Sequence, residues 1–327
     1  MNDEARVIRI TQAGGPEVLA LQTVSLPAPG PGEVRIRQEA VGLNFIDIYH
    51  RSGLYPVELP SPIGLEAAGV VEALGPGVAD FSVGDRVAYA GGPLGAYASA
   101  RNYPAERLVR LPDAISTESA AAMMLAGMTA WFLLRRTYPV KAGDTILVHA
   151  AAGGVGSILS QWGRALGATV IGTVGSEAKR ARAEENGCAH VIVLERERFP
   201  ERVREITGGR GLPVVYDGIG RDTFNDSLAC LAPLGLMVSF GNASGPVPPF
   251  DIGTLARMGS LFLTRPTMFA YVAARADLLV ASSELFGQVQ SGAVKIGVGQ
   301  RYALADAAQA QRDLAERRTS GSTVLLP

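Results

Sequence analysis

The run Ala150-Ala151-Ala152-Gly153-Gly154-Val155-Gly156 has the residue types and spacing of a phosphate-binding turn. Glycines at 153, 154 and 156 remove Cβ atoms where the backbone must turn sharply, and they let a pyrophosphate come close. The segment before it, Thr145-Ile146-Leu147-Val148-His149, suits a short strand covered on both faces. The segment after it, residues 155–166, reads as a helix offering free N–H groups and a positive dipole end to that phosphate. The spacing is not a strict Gly-x-Gly-x-x-Gly. By itself it also describes an ordinary tight turn from strand to helix.

The surrounding elements decide between these readings. Val170-Ile171-Gly172-Thr173-Val174, Val191-Ile192-Val193-Leu194, Pro213-Val214-Val215-Tyr216-Asp217 and Gly235-Leu236-Met237-Val238-Ser239-Phe240 are further apolar strands. Helical patterns over residues 176–186, 199–207 and 223–230 separate them. That alternation predicts a parallel sheet with crossover helices, and the glycine turn follows its first strand, where a dinucleotide belongs. An NAD site usually closes its second strand on a carboxylate that holds the ribose 2′-hydroxyl. Here Thr173-Val174-Gly175-Ser176 closes without one, and Lys179, Arg180 and Arg182 follow. Lys179 is the candidate partner of a 2′-phosphate, whereas Arg180 and Arg182 read as a solvated helix face. Glu177 is the one carboxylate near enough to compete for a ribose. The pattern favours NADPH over NADH.

Composition narrows the remaining classes. The chain has 327 residues, 47% hydrophobic and 19% charged, with a net charge of −1. That suits a soluble globular protein of two domains and supplies no overall field for nucleic acid or an anionic membrane. Cys188 and Cys230 make no disulfide framework and fit a reducing cytoplasm as small core residues. Residues 1–6 lack the basic start and apolar core of a signal peptide. The longest apolar run, residues 120–134, reads as one buried helix and is short of the roughly 20 residues a membrane span needs. Between residues 195 and 205, four arginines interleave with four glutamates, a solvated helix rather than a basic stripe for RNA.

Before residue 120 the texture changes. After the loop Pro27-Ala28-Pro29-Gly30-Pro31-Gly32, Glu33-Val34-Arg35-Ile36-Arg37 alternates as a half-exposed strand. Ala67-Ala68-Gly69-Val70-Val71-Glu72-Ala73-Leu74-Gly75 and Arg86-Val87-Ala88-Tyr89 add short strands among glycines, predicting a compact and mostly antiparallel β domain. Beyond Thr264 the pattern turns helical over residues 270–291 and 302–318. The last apolar segment, Ser322-Thr323-Val324-Leu325-Leu326, is expected to return as a strand to the first domain.

In this order the motifs resemble the medium-chain dehydrogenase/reductases, through Gly64-Leu65-Glu66-Ala67-Ala68-Gly69 and Gly84-Asp85-Arg86-Val87. The match is closer to the zinc-free NADPH:quinone oxidoreductases related to zeta-crystallin. Gly14-Gly15-Pro16-Glu17-Val18-Leu19, Asn44-Phe45-Ile46-Asp47, Arg51-Ser52-Gly53-Leu54-Tyr55-Pro56, Ala151-Ala152-Gly153-Gly154-Val155-Gly156, Gly172-Thr173-Val174-Gly175-Ser176, Phe240-Gly241-Asn242 and Thr264-Arg265-Pro266 all fit that branch. The resemblance covers essentially the whole chain. It implies an α/β protein, with a chaperonin-10-like β-barrel domain and a Rossmann domain built on a doubly wound parallel sheet. The expected division is 1–125 plus 266–327 for a discontinuous substrate domain and 126–265 for the NADPH-binding domain.

Zinc-dependent relatives carry Gly-His-Glu where this chain has Gly64-Leu65-Glu66, so leucine replaces a ligand. His50, His149 and His190 stand in no ligand spacing, and a catalytic zinc needs about three protein ligands. His149 reads as a satisfied, half-buried histidine, and His50 and His190 as surface residues.

The implied activity is NADPH-dependent reduction of a quinone, by hydride or single-electron transfer, without metal. The protein must hold the two rings together and stabilise charge developing on the quinone oxygen. By resemblance, Asn44, Tyr49 and Tyr55 carry the catalytic roles, with Asn44 donating to a carboxamide or quinone oxygen, and Phe132 lies near the nicotinamide. Asp47 and Arg51, four residues apart on a helix, are expected simply to pair. The cofactor's nicotinamide ribose and pyrophosphate would meet Phe45, Ile46, Asp47 and Tyr49 together with Gly153, Gly154 and Val155. Gly175, Ser176 and Lys179 would take the adenosine phosphate, with Arg317 approaching it. Phe240, Gly241 and Asn242, and then Thr264, Arg265 and Pro266, follow late strands whose carboxyl ends face such ligands. Leu194 departs from the family, which often has a tyrosine there.

Two other readings stay open: reduction of a conjugated enone or alkenal double bond in the same site, and a non-catalytic NADPH-binding protein of the zeta-crystallin type. The apolar segment Gly259-Ser260-Leu261-Phe262-Leu263-Thr264 reads as an edge strand, through which family members commonly form homodimers.

Overall fold

The computed structural model describes residues 4–327, which divide into two compact units. One comprises residues up to 128, 272–290 and 296–327; the other comprises 129–271 and 291–295.

The first unit is built around the long strand Glu33–Leu43, which pairs antiparallel with Glu66–Leu74, Ala100–Pro104 and Ser322–Leu326. Arg86–Ala90 continues the sheet beyond Glu66–Leu74, and Val298–Ala303 lies parallel to Ser322–Leu326. A small second sheet places Glu4–Ile10 between Ala20–Ser25 and Ser61–Pro62. Ile10, Val34, Ile36, Ile63, Val87 and Tyr97 fill its core, joined from the far end of the chain by Leu304, Ala307, Ala310 and Leu325. The C-terminal strand therefore does return to the first domain, as the sequence predicts.

Arg35 departs from the expected half-exposed alternation. It is buried, because its guanidinium donates to the carbonyls of Leu26 (3.0 Å) and Pro27 (2.6 Å) and to Asn102 Oδ1 (3.3 Å). Tyr302 lies in a strand rather than a helix, and the helix there is confined to Ala307–Ala315.

The second unit carries a six-stranded sheet in which every pairing is parallel, ordered His190–Val193, Thr169–Val174, Thr145–Val148, Leu212–Asp217, Leu231–Ser239, Phe262–Thr264. Strand order reverses between Thr145–Val148 and Leu212–Asp217, the switch point at whose carboxyl ends ligands bind in such sheets. This is the doubly wound Rossmann arrangement expected from the sequence. Residues 291–295, which the sequence reading assigns to the other domain, belong here. Gln161 ties them in by donating from Nε2 to the Lys295 carbonyl (3.1 Å) and accepting the Lys295 N–H at Oε1 (2.8 Å).

The apolar run 120–134 is not one helix. Thr117–Ala121 and Met124–Phe132 are separate helices, and a wider turn of π type, Leu133–Thr137, follows. The break has a tertiary cause. The Leu125 N–H donates to Glu66 Oε1 at 2.7 Å, so the second helix begins on a carboxyl from a distant strand.

Candidate functional site

Within the second unit, Gly153 caps helix Gly154–Ala165 and donates its N–H to the Ala150 carbonyl at 2.8 Å. Gly156 is dictated by space: a Cβ there would stand 2.2 Å from that same carbonyl oxygen. The helix can lie this close to the turn after the strand only where residue 156 has no side chain. The first N–H groups of the helix, at Gly154 and Val155, precede any intrahelical partner, as a phosphate-binding turn requires.

Ala150, at φ 51°, occupies the left-handed region that alanine rarely adopts. A buried polar chain holds the segment. The Ala150 N–H donates to Thr173 Oγ1 (3.4 Å), His149 Nδ1 lies 2.9 Å from Thr173 Oγ1, and His149 Nε2 lies 2.9 Å from Ser227 Oγ. The Ser227 hydroxyl donates to Asp217 Oδ2 at 2.9 Å, and the Thr223 hydroxyl donates to the same oxygen at 2.7 Å. Because Ser227 spends its proton on Asp217, it must accept from His149 Nε2–H, and Nδ1 then accepts from the Thr173 hydroxyl. The chain thus selects one neutral tautomer. Burial holds this imidazole below its ordinary pKa, against the pull of Asp217. Asp217 Oδ1 accepts the N–H groups of Ile219 (2.8 Å) and Gly220 (3.0 Å), completing a network with every member engaged. His149 is fully rather than half buried, with both ring nitrogens engaged beneath the turn.

At the end of the second strand, Gly175 is exposed with open space where a Cβ would stand, and Ser176 and Lys179 are partly exposed beside it. Glu177 is engaged by Arg180 (2.8 Å) and Arg196 (3.1 Å). Arg180 is therefore not a free solvated cation, since it also donates to the Val191 carbonyl at 3.2 Å. Phe240 donates its N–H to the Asp217 carbonyl (2.8 Å), and Gly241 passes so near Gly218 that a Cβ would lie 2.3 Å from its oxygen. Asn242 follows, partly exposed. Arg265 donates to the carbonyls of Ser239 (2.8 Å) and Gly241 (3.0 Å), tying the segment Thr264-Arg265-Pro266 to the turn after the neighbouring strand. Phe132 is 1% exposed and stacked on Tyr271 with ring centroids 4.6 Å apart.

In the first unit, Asn44 starts helix Phe45–Ser52. Its N–H donates to Asp47 Oδ2 (2.9 Å), and its side-chain Nδ2 donates to Glu66 Oε2 (2.6 Å). Asn44, Phe45 and Ile46 stay partly exposed, whereas Asp47 is wholly buried. The expected Asp47–Arg51 pair does not form. Asp47 turns inward to the Tyr97 hydroxyl (3.0 Å), leaving its Oδ1 and the Arg51 Nε and Nη1 without hydrogen-bond partners. Desolvation pushes Asp47 up to about 7 and Glu66 up to about 8. Tyr49 is buried with Tyr55 edge-on to it, ring centroids 5.2 Å apart. His50 is partly buried beside the Tyr55 ring rather than on the surface. Arg317 is exposed just past helix Ala307–Ala315, in the left-handed region at φ 62°.

The residues that reading by motif missed are Glu66 as a functional partner of Asn44, with Tyr97 behind Asp47, and the Asp217–Ser227–Thr173 support of the glycine turn. Their signal was present. Glu66 begins one largely apolar strand and Asp217 ends another, where an unpaired buried charge is costly.

Two family models match the chain: the alcohol dehydrogenase GroES-like domain over residues 30–113 and the zinc-binding dehydrogenase over residues 154–277. A quinone oxidoreductase of Pseudomonas aeruginosa is 52% identical over 99% of this chain and 100% of its own length. The crystal structure of Escherichia coli quinone oxidoreductase complexed with NADPH superposes with a TM-score of 0.97 at 48% identity, covering 98% of this chain and 100% of that one. A 2-haloacrylate reductase from a Burkholderia species is 46% identical, over 97% of this chain and 98% of its length.

The second family description implies zinc, and the residues here do not fit it. Among the described residues no group of three or more His, Cys, Asp or Glu is placed to hold a metal ion. Leu65 is buried beside Glu66, both ring nitrogens of His149 are engaged, and both cysteines are buried.

Proposed function

The chain belongs to the medium-chain dehydrogenase/reductase family, in its quinone oxidoreductase branch, and from that premise we propose that it is an NADPH-dependent quinone reductase. The observation that carries the reading is full-length identity of about half to quinone oxidoreductases, joined to a glycine turn with a close crossing at Gly156. NADPH, when bound, supplies hydride from C4 of its nicotinamide. The quinone gains that hydride and one solvent proton, giving the hydroquinone, while the cofactor leaves as NADP⁺.

The chain's own residues bind and orient. Gly153, Gly154 and Val155 offer backbone N–H groups to the pyrophosphate, on a turn stiffened from below by His149 and Thr173. Gly175, Ser176 and Lys179 take the adenosine 2′-phosphate. Glu177, the carboxylate that would favour a bare ribose, is already neutralised by Arg180 and Arg196. Phe240, Gly241 and Asn242, with Arg265 bracing them, line the carboxyl ends of the late strands. Asn44 presents its amide to the acceptor or the carboxamide, and Tyr49 and Tyr55 form an aromatic wall beside it. A donor aimed at the developing oxyanion is the largest catalytic aid this chemistry needs.

We place the enzyme in the cytoplasm as a homodimer. The two cysteines are free and buried, which suits a reducing compartment, and no helix among the described residues is long and apolar enough to cross a membrane. The edge strand Phe262–Thr264 is paired on one side only and carries the exposed Phe262, which supports pairing with a second copy.

A second reading rests on the 2-haloacrylate reductase relative: reduction of an activated carbon–carbon double bond. NADPH oxidation with 1,4-benzoquinone and with a simple enone, each with NADH as control, separates the two. Faster turnover of the quinone with NADPH is expected. Enone turnover alone would transfer the assignment to double-bond reduction, and Lys179→Ala should lose about tenfold of the NADPH-over-NADH preference.

A further inference from the structure

Arg182 stands apart from the other cation on its helix, Arg180–Glu185. Arg180 is spent on Glu177 (2.8 Å), Glu184 (3.9 Å) and the Val191 carbonyl (3.2 Å). Arg182 is only partly exposed, its Nε is buried without a hydrogen-bond partner, and its side chain enters no ion pair among the described residues. A solvated helix face does not describe it, because a donor out of reach of water is costly until an acceptor meets it.

The face that carries Arg182 has a known neighbour. The Asn186 N–H donates to the Arg182 carbonyl at 3.0 Å, so one helical turn separates the two residues and they share a face. Asn186 Nδ2 donates to the Ala151 carbonyl (3.1 Å) and to Ser157 Oγ (2.9 Å). That face is therefore turned to the glycine turn and to the first turns of helix Gly154–Ala165. The packing continues in the same direction along the chain. Cys188 Sγ donates to Ser160 Oγ at 3.5 Å, and a Cβ at Gly187 would stand 2.7 Å from Arg164 Cδ. Both helices follow the carboxyl ends of neighbouring parallel strands, Thr145–Val148 and Thr169–Val174, and so run side by side. One turn before Asn186 is then level with one turn before Ser157. Arg182 stands beside Gly153 and Gly154, at the head of the longer helix.

Two like-signed partners meet there. The head of helix Gly154–Ala165 carries free N–H groups and the positive end of its dipole, and Arg182 adds a full positive charge with unspent donors. Glu177 does not offset them, since Arg180 and Arg196 already hold it. An anion lying between helix head and guanidinium satisfies both, and a phosphate suits the planar fork of arginine.

We propose that Arg182 is a further binding residue of the cofactor site, donating to the pyrophosphate at the glycine turn while Lys179 serves the 2′-phosphate. This deepens the NADPH-dependent reading and rests on its placement of the pyrophosphate at that turn.

Arg182→Met tests the assignment, since it keeps an apolar stem and removes the charge and the donors. Dissociation constants of NADPH and of NADH are to be measured by calorimetric titration in the wild type, R182M and R182K, with the melting temperature of each protein before cofactor is added. R182M should bind both cofactors about tenfold more weakly, by the same factor, because both carry the pyrophosphate. R182K should recover part of that loss, as a point charge without the fork. The melting temperature of cofactor-free R182M should not fall, since the Arg182 Nε has no protein partner to lose. Unchanged dissociation constants would overturn the proposal. A loss confined to NADPH also overturns it and moves Arg182 to the 2′-phosphate. Weaker binding accompanied by a lower melting temperature makes Arg182 a structural residue and rejects it as a ligand of phosphate. Wild-type protein that binds neither dinucleotide rejects instead the cofactor reading beneath it.

Discussion

Each unit buries one polar network at the head of its candidate site, and the two are built to opposite ends. Around His149 every donor meets an acceptor in one direction, from the Ala150 N–H through Thr173, His149 and Ser227 to Asp217. Around Asn44 the network is over-supplied with acid and incompletely paired. Two carboxyls, Asp47 and Glu66, share a desolvated region, and Asp47 Oδ1, Arg51 Nε and Nη1 and Gln311 Oε1 have no hydrogen-bond partner. The first arrangement has one proton assignment and therefore one geometry, which holds the glycine turn at Ala150 still. The second leaves buried polar atoms without partners, so its geometry is less tightly fixed by hydrogen bonding. Satisfaction makes a network rigid, and an unsatisfied one stays responsive.

The largest effect is expected from breaking the complete network. Asp217→Ala would strand two backbone N–H groups and two hydroxyls in the interior, and a loss of about 3 kcal/mol in urea unfolding should follow. The variant should also bind NADPH weakly, since the turn at Ala150 loses its support.

Next comes the pH dependence of the incomplete network. The folded pKa of Glu66 lies above its unfolded value, so its stabilising contribution is full below about 4.5 and is lost as pH rises toward about 8. Glu66→Gln removes this dependence. Its melting temperature should gain on the wild type between pH 5 and 9, by on the order of 5 °C at the alkaline end.

His149 should show the opposite sign and a smaller size. Its folded pKa is depressed, so its contribution is full above the ordinary 6.5 and is lost as pH falls below that value. His149→Gln should flatten the acid limb of stability between pH 7 and 5, at a cost of about 1 kcal/mol at neutral pH. An unchanged acid limb would remove His149 from the account.

The smallest change sharpens the contrast most. Arg51→Met deletes two unpartnered donors from the incomplete network, and unfolding should move by less than about 1 kcal/mol in either direction. A loss as large as that of Asp217→Ala would show that the two networks are equally tight.

Much of this was legible in the residues. The alternation of apolar strands with helical patterns identified the parallel sheet, because a strand buried on both faces must be apolar throughout. The glycine at 156 announced a close crossing. Other features were hidden by their nature. The run 120–134 looks like one helix because composition does not record that Glu66, far away in sequence, takes the Leu125 N–H and starts a new one. Asp47 and Arg51 have helical spacing for a pair, yet Tyr97, also distant in sequence, draws Asp47 inward. Nothing local to Phe132 records that Tyr271, distant in sequence, stacks on its ring.

Local sequence determined what local physics can determine: the period of most elements and the turns that only glycine permits. Tertiary structure decided the protonation landscape. Whether a carboxyl at a strand end is a surface charge or a buried acid depends on which distant backbone and side-chain groups desolvate it. Glu66 and Asp47 acquire their chemistry from the strands and helices that close over them.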